Sequence, residues 1–124
     1  KLKIKNIKLP VSAPFHCILM KPATEVMKHQ ISKIKFLKPK IEIISNVTAK
    51  PCKDPNKIKD LLIDQIEKPV RWRESVLNMI SNRNEKFIEI GPGKVLSGLI
   101  KRIDRKVKTI QVNNINDLNN LNNL

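Results

Sequence analysis

Between residues 87 and 112 the chain changes period twice, and this constrains its fold more than any other feature. Phe87-Ile88-Glu89-Ile90 is a compact strand pattern, and Gly91-Pro92-Gly93 is a tight turn. Val95, Leu96, Leu99, Ile100 and Ile103 then form a helical stripe, and Thr109-Ile110-Gln111-Val112 reads as a strand again. Two strands joined through a helix can lie parallel in one sheet, so this unit places the chain in the α/β class. Gly98, inside the helical stripe, predicts close packing against a neighbour.

The rest of the chain fits the same class. Residues 1–12 read as an extended, lysine-edged strand, with Leu2, Ile4 and Ile7 among lysines. Met20, Ala23, Met27, Ile31 and Ile34 fall on one helical face, with Pro22 in the first turn, where a missing N–H costs little. The methionines read as core filler and His29 as a solvated side chain off the stripe. Ile41-Glu42-Ile43-Ile44 predicts a strand closing at Ser45-Asn46, followed by a turn-rich stretch from Thr48 to Pro55. Asp54-Pro55 is a helix start, an N-cap acceptor before a first-turn proline. That helix carries Ile58, Leu61, Leu62, Gln65 and Ile66 on one stripe, with Gln65 the polar exception. A further helix is predicted to restart at Pro69 and to bury Trp72, Val76, Leu77 and Ile80. The Asn-rich tail from Ile115 to Leu124 is a short terminal helix or frayed.

Charge and composition exclude several functions. The net charge is +14, which draws a chain toward polyanions, anionic membranes or acidic proteins. Yet the lysines are spread along the chain, and 20 Lys, 18 Ile and 13 Asn indicate a compositional bias acting everywhere. Three Phe, one Trp and no Tyr leave few stacking platforms for single-stranded nucleic acid. Cys17 and Cys52 form no metal-ligand spacing and read as free thiols of a reducing compartment. No apolar run reaches the length of a membrane span, and a cytoplasmic location is expected. The chain opens at Lys1, already inside a strand pattern, which suggests a piece of something longer.

The motifs that carry chemistry are few. Gly91-Pro92-Gly93-Lys94-Val95 imitates a phosphate loop, but Val95 stands where Ser or Thr would hold magnesium. The third glycine of a dinucleotide fingerprint comes too late, at Gly98. Ser97 lacks a nucleophile elbow. His16, at the end of a strand and the start of a helix, is placed like a reacting group on a rigid scaffold; taken alone it reads as an ordinary surface or core histidine, and the chain offers no credible nucleophile to go with it.

Val11-Ser12-Ala13-Pro14-Phe15-His16-Cys17, continuing to Pro22-Ala23, resembles the histidine motif of bacterial malonyl-CoA:acyl carrier protein transacylases. Three more stretches agree with that family in order and spacing. They are Ser45-Asn46-Val47-Thr48-Ala49, then Gln65-Ile66 with Pro69-Val70 and Trp72, then Ile90-Gly91-Pro92-Gly93-Lys94-Val95-Leu96 with Gly98-Leu99.

The resemblance implies an α/β-hydrolase-like large subdomain with an inserted ferredoxin-like small one. Residues 1–12 would be the return strand from the small subdomain, and 13–124 the C-terminal part of the large one. It implies Ser–His acyl transfer from malonyl-CoA to an acidic acyl carrier protein, with no cofactor and no metal. His16 matches the catalytic histidine, Gln65 the residue whose main-chain carbonyl orients it, and Phe15 the malonyl-selecting position. The nucleophilic serine, the oxyanion hole and the carboxylate-binding arginine belong to the family's N-terminal part and have no counterpart here. The isolated chain is therefore expected to be inactive and to expose apolar faces. Two alternatives stay open: a non-catalytic basic binding module, and a decayed split-gene remnant.

Overall fold

A computed structural model describes residues 11–123, so most of the strand expected over residues 1–12 lies outside the described residues. A 3-10 turn, Ile18–Met20, leads into α1, Lys21–Ser32, with Pro22 in its first turn. A short antiparallel hairpin follows, β1 (Ile43–Ile44) paired with β2 (Pro51–Cys52). Next come α2 (Pro55–Asp64), α3 (Trp72–Ser81), β3 (Lys86–Ile90), α4 (Val95–Ile103) and β4 (Lys108–Val112), with a closing 3-10 segment, Ile115–Asn123.

β3 and β4 pair in parallel, with Phe87 opposite Thr109 and Ile90 opposite Val112. The α/β class read from the sequence holds, and α4 is the crossover. The core is Val76, Ile100 and Val107, with Trp72, Met79, Ile80, Phe87 and Ile103 packed around it. It fastens α3 and α4 to one face of the β3–β4 pair. The other face carries Ile88 and Ile90, which are 45% and 82% exposed. Parallel sheets are normally covered on both faces, so this one presents an uncovered side.

Local signals explain the element ends. Asp54 caps α2 as predicted, accepting from the main-chain N–H groups of Asn56 and Lys57 at 2.8 and 3.2 Å. Gly91 and Gly93 have φ of +134° and +96°, which only glycine adopts without strain. The turn they make is pinned by Gly93 N–H donating to Asn113 Oδ1 at 2.6 Å. The Glu89 carboxylate reaches past that turn and accepts from the N–H groups of Leu96 and Ser97 at 3.0 and 2.8 Å. It thereby satisfies donors at the α4 N-terminus that no helical carbonyl can reach.

Some expectations need correction. A Cβ added at Gly98 would meet nothing within 4 Å, so no packing neighbour explains that glycine here. Helix α3 begins at Trp72, not Pro69. Leu77 is exposed where burial was expected, as are Met27 and Ile34 on the α1 stripe, of which Ile31 alone is deeply buried. Periodicity marks an apolar stripe but not what covers it. The turn-rich stretch after Thr48 contains β2, too short for alternation to show. Among the described residues no helix is long and apolar enough to cross a membrane.

Candidate active site

His16 sits in the turn before the first 3-10 segment with φ of +59°, a left-handed conformation that costs a non-glycine residue about 1 kcal/mol. Local bonds hold the turn: Phe15 N–H donates to Ala13 O at 2.9 Å, and Cys17 Sγ to Pro14 O at 3.1 Å. The strained backbone aims the ring at the far end of α2. There His16 Nδ1 lies 2.6 Å from the main-chain oxygen of Gln65. A carbonyl can only accept, so Nδ1 carries the proton. In the neutral ring Nε2 then holds a lone pair and, among the described residues, bonds to nothing. Both His16 and Phe15 are exposed.

Gln65 is the C-cap of α2. The last carbonyls of a helix have no helical partner, so its oxygen is free to accept from a side chain. The helix C-terminus also carries partial negative charge, which favours a proton on the facing nitrogen. The odd polar residue on an apolar stripe is thus the place where the stripe ends and the carbonyl is released.

The Gln65 side chain is also engaged, which the sequence reading missed. Its Oε1 accepts from Asn46 Nδ2 at 3.2 Å. Asn46 lies in the loop joining β1 and β2, and its main-chain oxygen accepts from Arg71 N–H at 2.9 Å. That loop is closed by Ala49 N–H on Ser45 O at 2.8 Å, with Ala49 buried and at φ of +56°. The signal available in the sequence was the polar cluster Ser45-Asn46 directly after a β-branched run, which gave a turn but no partner.

Gln65 and Asn46 line one side of a 230 Å³ cavity with Ile44, Cys52, Ile58 and Leu61. A larger one, 460 Å³, opens where the parallel strands begin, between Arg83, Lys86, Asp104 and Lys108. It touches none of the predicted site residues, so geometry and not size locates the candidate site. Among the basic side chains of α4, Lys101 is committed internally, its Nζ donating to Arg105 O at 3.2 Å and also to Val107 O. Lys94 and Arg102 remain at the surface, flanking Val95, Gly98 and Leu99.

Comparison with known proteins gives these contacts a context. No family model matches the chain. It is 45% identical over 110 residues to the malonyl CoA-acyl carrier protein transacylase of Bacillus subtilis, covering 89% of this chain and 35% of that protein. The acyl carrier protein S-malonyltransferase of Vibrio cholerae superimposes with a TM-score of 0.84 at 46% identity, covering 91% of this chain and 37% of that one. Over most of its own length the chain is therefore similar to malonyl CoA-acyl carrier protein transacylases. It spans about a third of the length of the curated relatives it matches. A malonyl-transacylase solved in complex with a type II PKS acyl-carrier protein is similar too, with a TM-score of 0.86 at 37% identity, covering 94% of this chain and 38% of that one. The likeness to these solved structures identifies the α/β arrangement as part of an acyltransferase fold.

Proposed function

We propose that this chain is the C-terminal part of a malonyl-CoA:acyl carrier protein transacylase of fatty acid biosynthesis, and that His16 is its general base. One observation carries this reading: the 2.6 Å contact from His16 Nδ1 to the Gln65 carbonyl, which leaves Nε2 as the free basic nitrogen. The homologues add the reaction class, since those named are transacylases acting between malonyl-CoA and acyl carrier protein.

In this account a serine from the portion of the protein outside this chain lies beside Nε2. As the serine oxygen attacks the malonyl thioester, Nε2 takes its proton, and the imidazolium then protonates the departing CoA thiolate. In the second half the carrier protein's pantetheine thiol gives its proton to Nε2 and attacks the malonyl ester. The proton returns to the serine oxygen as it leaves. The Gln65 carbonyl fixes the tautomer through both halves and stabilises the imidazolium, the part a carboxylate plays in a triad. Phe15, beside the base, would wall the acyl pocket and favour malonyl. Residues 1–12 would return from a ferredoxin-like subdomain, and residues 13–124 would complete an α/β-hydrolase-like one. Docking of an acidic carrier protein is consistent with the +14 net charge, with Lys94 and Arg102 as candidate contacts. The cytoplasm is the expected compartment.

The test is malonyl transfer from malonyl-CoA to acyl carrier protein, by the complete protein and by this chain alone. The account expects transfer by the first and none by the second. Transfer by this chain alone would contradict it, because among the described residues no hydroxyl or thiol is hydrogen-bonded to His16 Nε2.

A further inference from the structure

We infer that Asn46 is a positioning residue for the histidine base, acting through the side chain of Gln65; this rests on the reading of His16 given above. The Gln65 residue is held from two directions. Its main-chain oxygen meets His16, and its side-chain oxygen accepts from Asn46 Nδ2 at 3.2 Å. Gln65 ends a helix, where backbone torsions are least restrained, and Ile66 and Glu67 continue only by tight turns onto Ile63 and Asp64. A carbonyl at a fraying end can swing away from its partner. Asn46 removes that freedom by fixing the side chain of the same residue.

Asn46 is itself clamped. Its main-chain oxygen accepts from Arg71 N–H at 2.9 Å, at the entrance to α3. The loop that carries it is closed on both sides, by Ala49 N–H on Ser45 O and Ser45 N–H on Lys50 O. Asn46 and its surroundings are half-buried, so this hydrogen bond is shielded from water more than a surface pair would be. The path from Asn46 to His16 is therefore two hydrogen bonds long, through one residue. Asparagine suits the position because its amide donates to Gln65 while its main chain turns the loop.

The experiment uses the complete transacylase and compares Asn46→Ala, Gln65→Met and the double variant, with Asn46→Asp as a near-isosteric second probe that donates no hydrogen bond when ionised. Each single variant is expected to lower kcat about tenfold with KM for malonyl-CoA changed less than about twofold, the size of one lost net hydrogen bond. The double variant is expected to lose no more than either single one, because both remove the same link. The His16 Nδ1–H proton should exchange with solvent faster in Asn46→Ala and Asn46→Asp than in the wild-type protein. Additive losses, or an unchanged kcat in a folded Asn46 variant, would overturn the inference. His16→Ala is run alongside: if it transfers malonyl at the wild-type rate, the assignment of the base fails instead, and the two failures are told apart.

Discussion

His16 Nδ1 and the carbonyl oxygen of Gln65 meet at 2.6 Å although 49 positions separate the two residues. The contact joins a strained turn to a helix C-terminus, and it needs only the main chain of Gln65. Gln65→Ala should therefore be a mild lesion. In the complete protein it is expected to cost about tenfold in kcat, because the carbonyl is kept but loses the Asn46 link that steadies it. Steady-state kinetics check this, and a loss as large as that of removing the histidine would mean that the side chain itself takes part.

The Asp54 cap is remote from the chemistry and sets the start of α2. Asp54→Ala removes both of its hydrogen bonds to Asn56 and Lys57. It should destabilise the protein by about 1 kcal/mol, within a range of roughly 0.5–2. Denaturant titration measures this, with kcat per folded molecule unchanged.

Glu89 links the parallel sheet to α4. The hydroxyl and N–H of Ser97, with the N–H of Leu96, hold its carboxyl below the usual range; the two N–H bonds are the formed ones, and Ser97 Oγ stands close without a bond of its own. A group whose pKa is depressed by folding stabilises the fold above its unfolded pKa, and that contribution is lost as pH falls through the folded value. The Tm difference between wild type and Glu89→Gln should thus be largest near neutral pH and close under acid conditions. A gap independent of pH would assign the effect to shape and not charge.

Ile88 and Ile90 form an uncovered apolar strip on the sheet. The chain alone should self-associate and bind apolar dyes, and Ile90→Lys should reduce both. In the complete protein the same substitution should destabilise by about 3 kcal/mol or more, since it would bury an unpaired charge. Equal tolerance in both contexts would mean that nothing covers this face.

Much of this was legible from residue order. The change of period around Gly91-Pro92-Gly93 foretold the parallel β3–α4–β4 unit, and Asp54-Pro55 foretold the α2 cap. His16 at a strand-to-helix change was by itself an ordinary histidine, and only the motif Val11-Ser12-Ala13-Pro14-Phe15-His16-Cys17 around it made it a candidate base. What stayed hidden depends on partners distant in sequence. The left-handed turn at His16, the Asn46–Gln65 bond and the internal use of Lys101 follow from where loops meet, which spacing does not encode. The exposure of Leu77, Met27 and Ile90 shows the same limit from the other side: an apolar stripe announces burial, but its cover need not lie in the same stretch of chain.

The central claim is that His16 removes the proton from the attacking group. It is tested most directly by single-turnover acylation of the complete protein with malonyl-CoA, comparing wild type with His16→Ala. The account predicts that acyl-enzyme formation slows by about 10²–10⁴-fold, the usual worth of general-base help, with malonyl-CoA binding little changed. Acylation at the wild-type rate in a folded His16→Ala variant would contradict it.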